Sequence, residues 1–469
     1  MSETPLLSRD SAPLPLLQAF SHLEYKLDSR YPDWLNALRH QAFSSVLKRG
    51  FPTTKDENWK YTRLAPVLST YFQPAQTTTD HLLSHDAIDR LAGNFGGIRL
   101  VFVNGHFSSE LSCHGPFPGG VRVESLATAL SENGKRPAGD GRPAGDGRLE
   151  SLLTPAFQAS SEGSSPEEPG SLHHAFVLLN HALVEDGVLI DIPEDTTLDE
   201  PITVLFLSDC GATPLLFHPK LIINAGARSR ATIVEVHTSI LDSLYFTNTV
   251  SHVTLGDSAN IAYYKVQNEA RQAFHFSFLD VKPGRGSQFS SHLTALGAAI
   301  GRHEVQATFS EENAEVTLNG LYLPRRLQYL DHPVLVRHIA PHCTSRQLYK
   351  GVVCEEGRGG FYGKIYVAPN AVKTDAQQSN KNLLLSESAQ VDTRPRLEIL
   401  ADDVKCAHGA TVGQIDNEAL FYLRSRGIGL DEARGLLTYG FVSEMINLVS
   451  LIPLRIYLSE IVLSRVKGL

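Results

Sequence analysis

The sequence predicts a mainly β chain, a β-helix held between helical N- and C-terminal regions. Three observations predict it. Short runs rich in β-branched and aromatic residues fill the stretch from about 195 to 415, with turn residues and no helices between them. Within that stretch a spaced turn motif recurs at nearly constant intervals. On either side the apolar residues instead repeat at three- and four-residue steps, the period of a helix.

The N-terminal region comes first. Leu16, Leu17, Phe20, Leu23 and Leu27 recur at helical spacing, and Trp34, Leu35, Leu38, Phe43 and Leu47 continue the pattern after Pro32. Gly50 ends this helix and 51–54 turns the chain. A short β segment is expected over Ile98–Phe107. Residues 1–130 therefore form a helical or α+β region. Composition then shifts: RPAGDG occurs twice in succession, at 136–141 and 142–147, and Ser, Glu, Gly and Pro dominate 160–170. Such a segment predicts a flexible low-complexity insert over 131–170 with no chemical role.

The β-helix is expected over 171–415. Strand-like runs include Ile202–Leu207, Leu221–Ile223, Thr232–His237, Thr249–Leu255, Ile261–Val266, Glu304–Phe309 and Val316–Leu323. The motif is a turn residue, a small residue three later and an apolar residue two after that. It appears as Gly226, Ser229, Ala231, then Gly256, Ala259, Ile261, then Gly284, Ser287, Phe289. It weakens to Glu311, Ala314, Val316 and returns as Ser386, Ala389, Val391. The steps from 226 to 256, 284 and 311 are 30, 28 and 27 residues, which points to a solenoid. A propeller needs longer blades with their own signature, and a βαβ sheet needs intervening helices. Stacked coils at ~4.8 Å would make a rod of roughly eight coils and about 40 Å. An antiparallel sandwich is the alternative on pattern alone.

Residues 416–469 return to helical periodicity. Asp431 is the expected N-cap, and Ala433, Leu436, Leu437, Phe441, Met445 and Leu448 form an apolar stripe. Segment 441–466 is apolar on more than one face, which fits either burial against a partner or packing on the chain's own rod.

Bulk properties narrow the function classes. The chain has 469 residues, 42% hydrophobic and 20% charged, as in ordinary globular proteins. Its net charge of −9 argues against a dedicated nucleic-acid binder or an anionic-membrane binder. Five scattered cysteines (Cys113, Cys210, Cys343, Cys354, Cys406), with no Cys-x-x-Cys, exclude a disulfide framework and fit a reducing compartment. With no secretory signal and no run of roughly 18 apolar residues visible, a cytoplasmic location is expected.

Enzyme templates fail. In Gly357–Lys364, GRGGFYGK, five residues separate Gly357 from Gly363 where a Walker A loop has four, and Ile365 follows the lysine. Tyr362 occupies the place of the third Rossmann glycine. The chain is expected not to be an enzyme. His332, His338, His342 and Cys343 match no standard zinc spacing and are expected to be structural. Cys406 and His408 differ. In a strand they share one face, and a thiolate and an imidazole can both ligate iron. Two ligands are fewer than the four of a closed cluster site, so the rest would come from elsewhere. A buried Cys with a hydrogen-bonded His at the last coil is the plainer reading of the same two residues.

Four blocks stand in order along the chain: Gly50–Leu64 (GFPTTKDENWKYTRL), His338–Gly351 (HIAPHCTSRQLYKG), Thr374–Ser386 (TDAQQSNKNLLLS) and Cys406–Gly427 (CAHGATVGQIDNEALFYLRSRG). Together they resemble the SufB/SufD family of iron–sulfur assembly scaffolds. The sequence Cys406-Ala407-His408-Gly409 and the few cysteines are similar to the SufD type. The resemblance implies a right-handed parallel β-helix that pairs with a SufB-like subunit through the C-terminal ends of the two rods. It also implies docking of the C-terminal helices on a SufC-like ATPase, which would hold the ATP. Carried over by motif, His408 and Cys406 become candidate ligands of a nascent cluster, or its iron, shared with the SufB-like chain. A purely structural partner that positions the ATPase is the alternative. The sequence carries no signal for or against a flavin.

Overall fold

Each short β run becomes one strand of a coil, and two sheets result. In the first, Gly187–Ile192, Lys220–Ala225, Tyr245–Leu255, Phe274–Lys282, Ile300–Phe309, Tyr329–His338, Arg358–Val367 and Gln390–Ile399 lie side by side in chain order. In the second, Ile98–Val103, Ile202–Ser208, Arg230–Ser239, Asn260–Asn268, Gln288–Ala295, Glu315–Tyr322, Thr344–Val353, Asp375–Leu384 and Lys405–Gly413 do the same. All these neighbours are parallel, which selects the β-helix over the sandwich. The rod has about eight coils. The computed structural model describes Pro15 and residues 31–75, 83–113, 115, 118–132, 147–158 and 175–466.

The turn motif has a geometric cause. Residue two after the turn residue takes a left-handed conformation in coil after coil: Arg228, Ser258, Gly286, Asn313, His342 and Lys373 all have positive φ. The freed N–H groups bond to the next coil, Arg228 to Asp257 O at 2.8 Å and Ser258 to Arg285 O at 2.8 Å. A Cβ on Gly226 would come within 2.4 Å of the Glu194 backbone N, so the tightest stacking needs glycine. The small residue closes the turn, as Ser229 Oγ does on Gly226 O at 2.7 Å. The apolar residue starts an inward column: Ala231, Ile261, Phe289, Val316, Ser345, Ala376 and Cys406 stand in register. Ser386, Ala389 and Val391 do not continue this ladder. They belong to the turn and start of Gln390–Ile399, a strand of the first sheet, where the Ser386 and Ser388 hydroxyls donate to Glu355 O.

Three expectations change at the edges. The first helix expected before residue 31, and most of the RPAGDG tandem, lie outside the described residues. Within the supposed featureless insert, Gly147–Gln158 is a helix that buries Leu149, Leu153, Ala156 and Phe157. Their four-residue spacing is the cause, and it outweighs the flanking Gly, Ser and Pro. Finally, Ile98–Val103 belongs to the rod, pairing in parallel with Ile202–Ser208.

Each outer face is covered. On the first sheet, Trp59, Phe72 and Phe176 pack against Phe246, Phe274 and Phe276. Buried Arg302 lies 3.7 Å from the Trp59 ring centroid and bonds to Thr62, Asp331 and Glu304, which anchors the GFPTTKDENWKYTRL block. On the second sheet lie the C-terminal helices Leu430–Asn447 and Ile452–Val466, burying Val442, Met445, Leu454 and Leu458 against Val234, Val236, Leu321 and Val352. The N-cap of the longer helix is Gly429, and Asp431 sits inside its first turn.

Candidate functional site

The two ends of the rod differ. At one end the antiparallel strands His106–Cys113 and Arg122–Ser125 close the sheets. At the other, Lys405–Gly413 and Gln390–Ile399 are the last strands, each paired on one side only among the described residues. A free strand edge is a row of unused donors and acceptors, and it pairs readily with another chain. Leu400 and Val412 lie here, 52% and 47% exposed.

Both candidate ligands sit on this last strand. Cys406 pairs in register with Ala376 and His408 with Gln378. They alternate with Ala407, so both fall on the inward side that lower coils fill with core residues. The column under His408 runs Ile233, Tyr263, Ser291, Leu318, Gln347 and Gln378, and Gln378 donates to Gln347 at 2.8 Å. Cys406 is half-buried and packs on the interior cluster; burial pushes its thiol above the usual range. His408 is exposed at the mouth of the bore. A Cβ built on Gly409 would meet nothing within 4 Å, so the outward face of this strand, opposite His408, is also uncovered within this chain. The strand thus presents one sulfur and one nitrogen donor at an open edge. Further ligands from a facing surface would complete a cluster site.

The other singled-out motifs resolve into packing. His332 contacts Gly360 O at 3.1 Å through Nδ1 and stacks on Tyr322, with centroids 4.4 Å apart. His338 pairs with Ser345 Oγ at 2.9 Å and stacks on Phe309, while Cys343 donates to Glu311 O. His342 is the left-handed residue of a turn. The look-alike phosphate loop Gly357–Lys364 runs, from Arg358 on, in the strand Arg358–Val367. Its glycines make room for neighbours: a Cβ would lie 2.9 Å from Tyr322 at Gly359, 2.4 Å from Asp331 at Gly360 and 1.9 Å from Gln378 at Gly363.

Sequence reasoning missed a polar group in the bore, formed by Glu235, His237, Lys265, Glu269 and His275. A cue was available: His237 and Glu235 occupy alternate positions of a strand whose inward residues should be apolar. The C-terminal helices take the second of the two sequence alternatives, packing on the chain's own rod. Leu430–Asn447 and Ile452–Val466 leave Leu436 (50% exposed) and Ile452 (57%) uncovered, and the preceding helix Asn417–Ser425, which buries no residue, leaves Phe421 (74%) and Tyr422 (56%) uncovered. No helix among the described residues is long and apolar enough to cross a membrane.

Comparison with known proteins bears on the same elements. Residues 208–441 match the family described as SUF system FeS cluster assembly, SufBD core domain, and residues 13–135 match the SufBD protein N-terminal region. The iron–sulfur cluster assembly protein SufD of Escherichia coli is 31% identical over 407 residues, covering 86% of this chain and 87% of that protein. A Synechocystis iron–sulfur cluster assembly SufBD family protein is 29% identical, covering 86% of this chain and 85% of its own length. The Bacillus subtilis iron–sulfur cluster assembly protein SufD is 28% identical, covering 63% and 67%.

Proposed function

This chain belongs to the SufB/SufD family of iron–sulfur cluster assembly proteins as a SufD-type member, and from that premise we propose that it is the scaffold subunit pairing with a SufB-like chain at the open end of its β-helix. His408 and Cys406 would offer two ligands to a cluster, or its iron, forming at that shared interface. The cluster is cargo here, held in passing and handed on. The carrying observation is the open edge of Lys405–Gly413, a strand paired on one side only among the described residues, which places both donor types on one inward face with His408 exposed. The thiol of Cys406, pushed up by burial, would lose its proton as iron binds.

A SufC-like ATPase would dock on the C-terminal helices, where Phe421, Tyr422, Leu436 and Ile452 are exposed apolar side chains. This chain would not be an enzyme, and the ATP would belong to that partner. Glycines that fit neighbouring side chains rather than a phosphate support this division. ATP-driven approach of two ATPase subunits would twist the paired rods and open the interface to iron and sulfide. The free cysteines fit a cytoplasmic setting.

Co-expression with SufB-like and SufC-like chains tests the assembly. The three should co-purify anaerobically and show the visible absorption of an iron–sulfur cluster. Val412→Pro removes a backbone donor at the free edge and should release the SufB-like chain while the ATPase stays bound. Retention of both partners by that variant would place the interface elsewhere. A complex that assembles normally and forms clusters without His408 would make this chain a purely structural partner.

A further inference from the structure

Deep in the rod, far from the open end, three side chains converge. His237, Glu269 and His275 each offer one ligand atom, these atoms lie within 4.8 Å of one another, and all three residues are buried. His237 stands in register with Gln267, Ala295, Tyr322, Gly351, Asn382 and finally Val412. Six steps of ~4.8 Å put it about 29 Å from the last strand. It is therefore separate from Cys406 and His408.

We propose that His237, Glu269 and His275 form a resident site for one borderline divalent cation, zinc or ferrous iron, inside the β-helix. The orientation of His237 is that of a metal-ligating histidine. Its Nε2 lies 2.5 Å from Glu235 Oε1, and its Nδ1 is buried with no hydrogen-bond partner among the described residues. A carboxylate that takes one ring N–H fixes the tautomer and turns the other nitrogen's lone pair outward. Glu235 is itself held by Lys265 Nζ at 2.9 Å and by the Tyr263 hydroxyl. Phe206 stacks on the imidazole at 4.8 Å between centroids and closes the side below.

Glu269 is equally prepared. Thr247 Oγ1 donates to one carboxylate oxygen at 2.8 Å and Gln267 Nε2 to the other at 2.9 Å. The Gln267 carbonyl in turn accepts from Gly297 N, which fixes the amide. Among the described residues its one ion-pair contact is His275 Nδ1 at 2.6 Å, and neither nitrogen of that ring has a hydrogen-bond partner of acceptable geometry. With both imidazoles neutral, as metal ligands must be, the pocket holds two carboxylates against one ammonium, Lys265. An uncompensated buried carboxylate is costly, and a cation between Glu269 and the imidazoles removes that cost. Two nitrogens and one oxygen without a thiolate suit zinc or ferrous iron, with a fourth position for water.

The test uses the full chain without a histidine tag, by elemental analysis as isolated and by anaerobic Co2+ titration. Titration follows both direct incubation and refolding from chelator-containing denaturant, because the site is enclosed. About one equivalent is expected, with a cobalt spectrum lacking thiolate charge transfer. Elemental analysis distinguishes zinc from iron. His275→Gln and Glu269→Gln should lower Co2+ affinity at least about tenfold, while the Cys406→Ser, His408→Ala double variant keeps the metal. Should the buried variants fail to fold, the wild-type spectrum decides. A wild-type chain that folds metal-free in both preparations, a thiolate charge-transfer band, or metal that follows Cys406 and His408 would each overturn the proposal.

Discussion

At the residue scale, the rod rests on inward columns, and the two that end at Cys406 and His408 are mainly apolar near the capped end and more polar toward the open one. Phe289 is buried within the column that ends at Cys406. Phe289→Ala should cost about 3–5 kcal/mol, read as a lower urea midpoint at an unchanged slope. Buried histidines set the acid limit. Burial lowers His218 and His338 to about 3 and His292 to about 4. These folded values lie below that of a free imidazole, so the unfolded chain binds more protons in between. Their stability contribution is complete above about pH 6.5 and is lost as pH falls toward about 4 and then 3. Urea midpoints measured across that window should fall steadily with acidification, and a flat profile would mean these rings are solvated. The Cys406–His408 pair was legible in the sequence because strand alternation alone puts i and i+2 on one face. The His237–Glu269–His275 group was not. Its members come from different strands and a turn, brought together by coil stacking that no local spacing records.

At the element scale, the turn motif foretold the β-helix because the left-handed residue and the small residue after it are both demanded by stacking. The motif could not tell the two turn ladders apart, so Ser386 was joined to a series to which it does not belong. Helix Gly147–Gln158 was hidden for the opposite reason: its Leu149, Leu153, Phe157 spacing is clear, but the residues around it have the composition of a loop. The C-terminal helices carry the most exposed apolar side chains of their region. Phe421→Glu should leave the fold intact, because the side chain is 74% exposed. It should weaken binding of a SufC-like ATPase at least about tenfold, or ~1.4 kcal/mol. Unchanged affinity in a calorimetric titration would mean the ATPase docks elsewhere.

At the scale of the whole molecule, the chain is a rod closed at one end by antiparallel strands and open at the other. Its first sheet is covered by the N-terminal region and its second by the C-terminal helices. That leaves the last coil as the place where β structure continues only with another chain. Family membership gives this geometry its meaning in iron–sulfur cluster assembly. Under the proposed pairing, a site with two donors need not be complete by itself. The most direct measurement is cluster yield in the purified three-subunit complex carrying His408→Ala, quantified anaerobically by iron and sulfide content and visible absorption. We predict a complex of normal composition whose cluster yield falls severalfold or more. A wild-type yield from the intact variant complex would contradict a ligand role for His408.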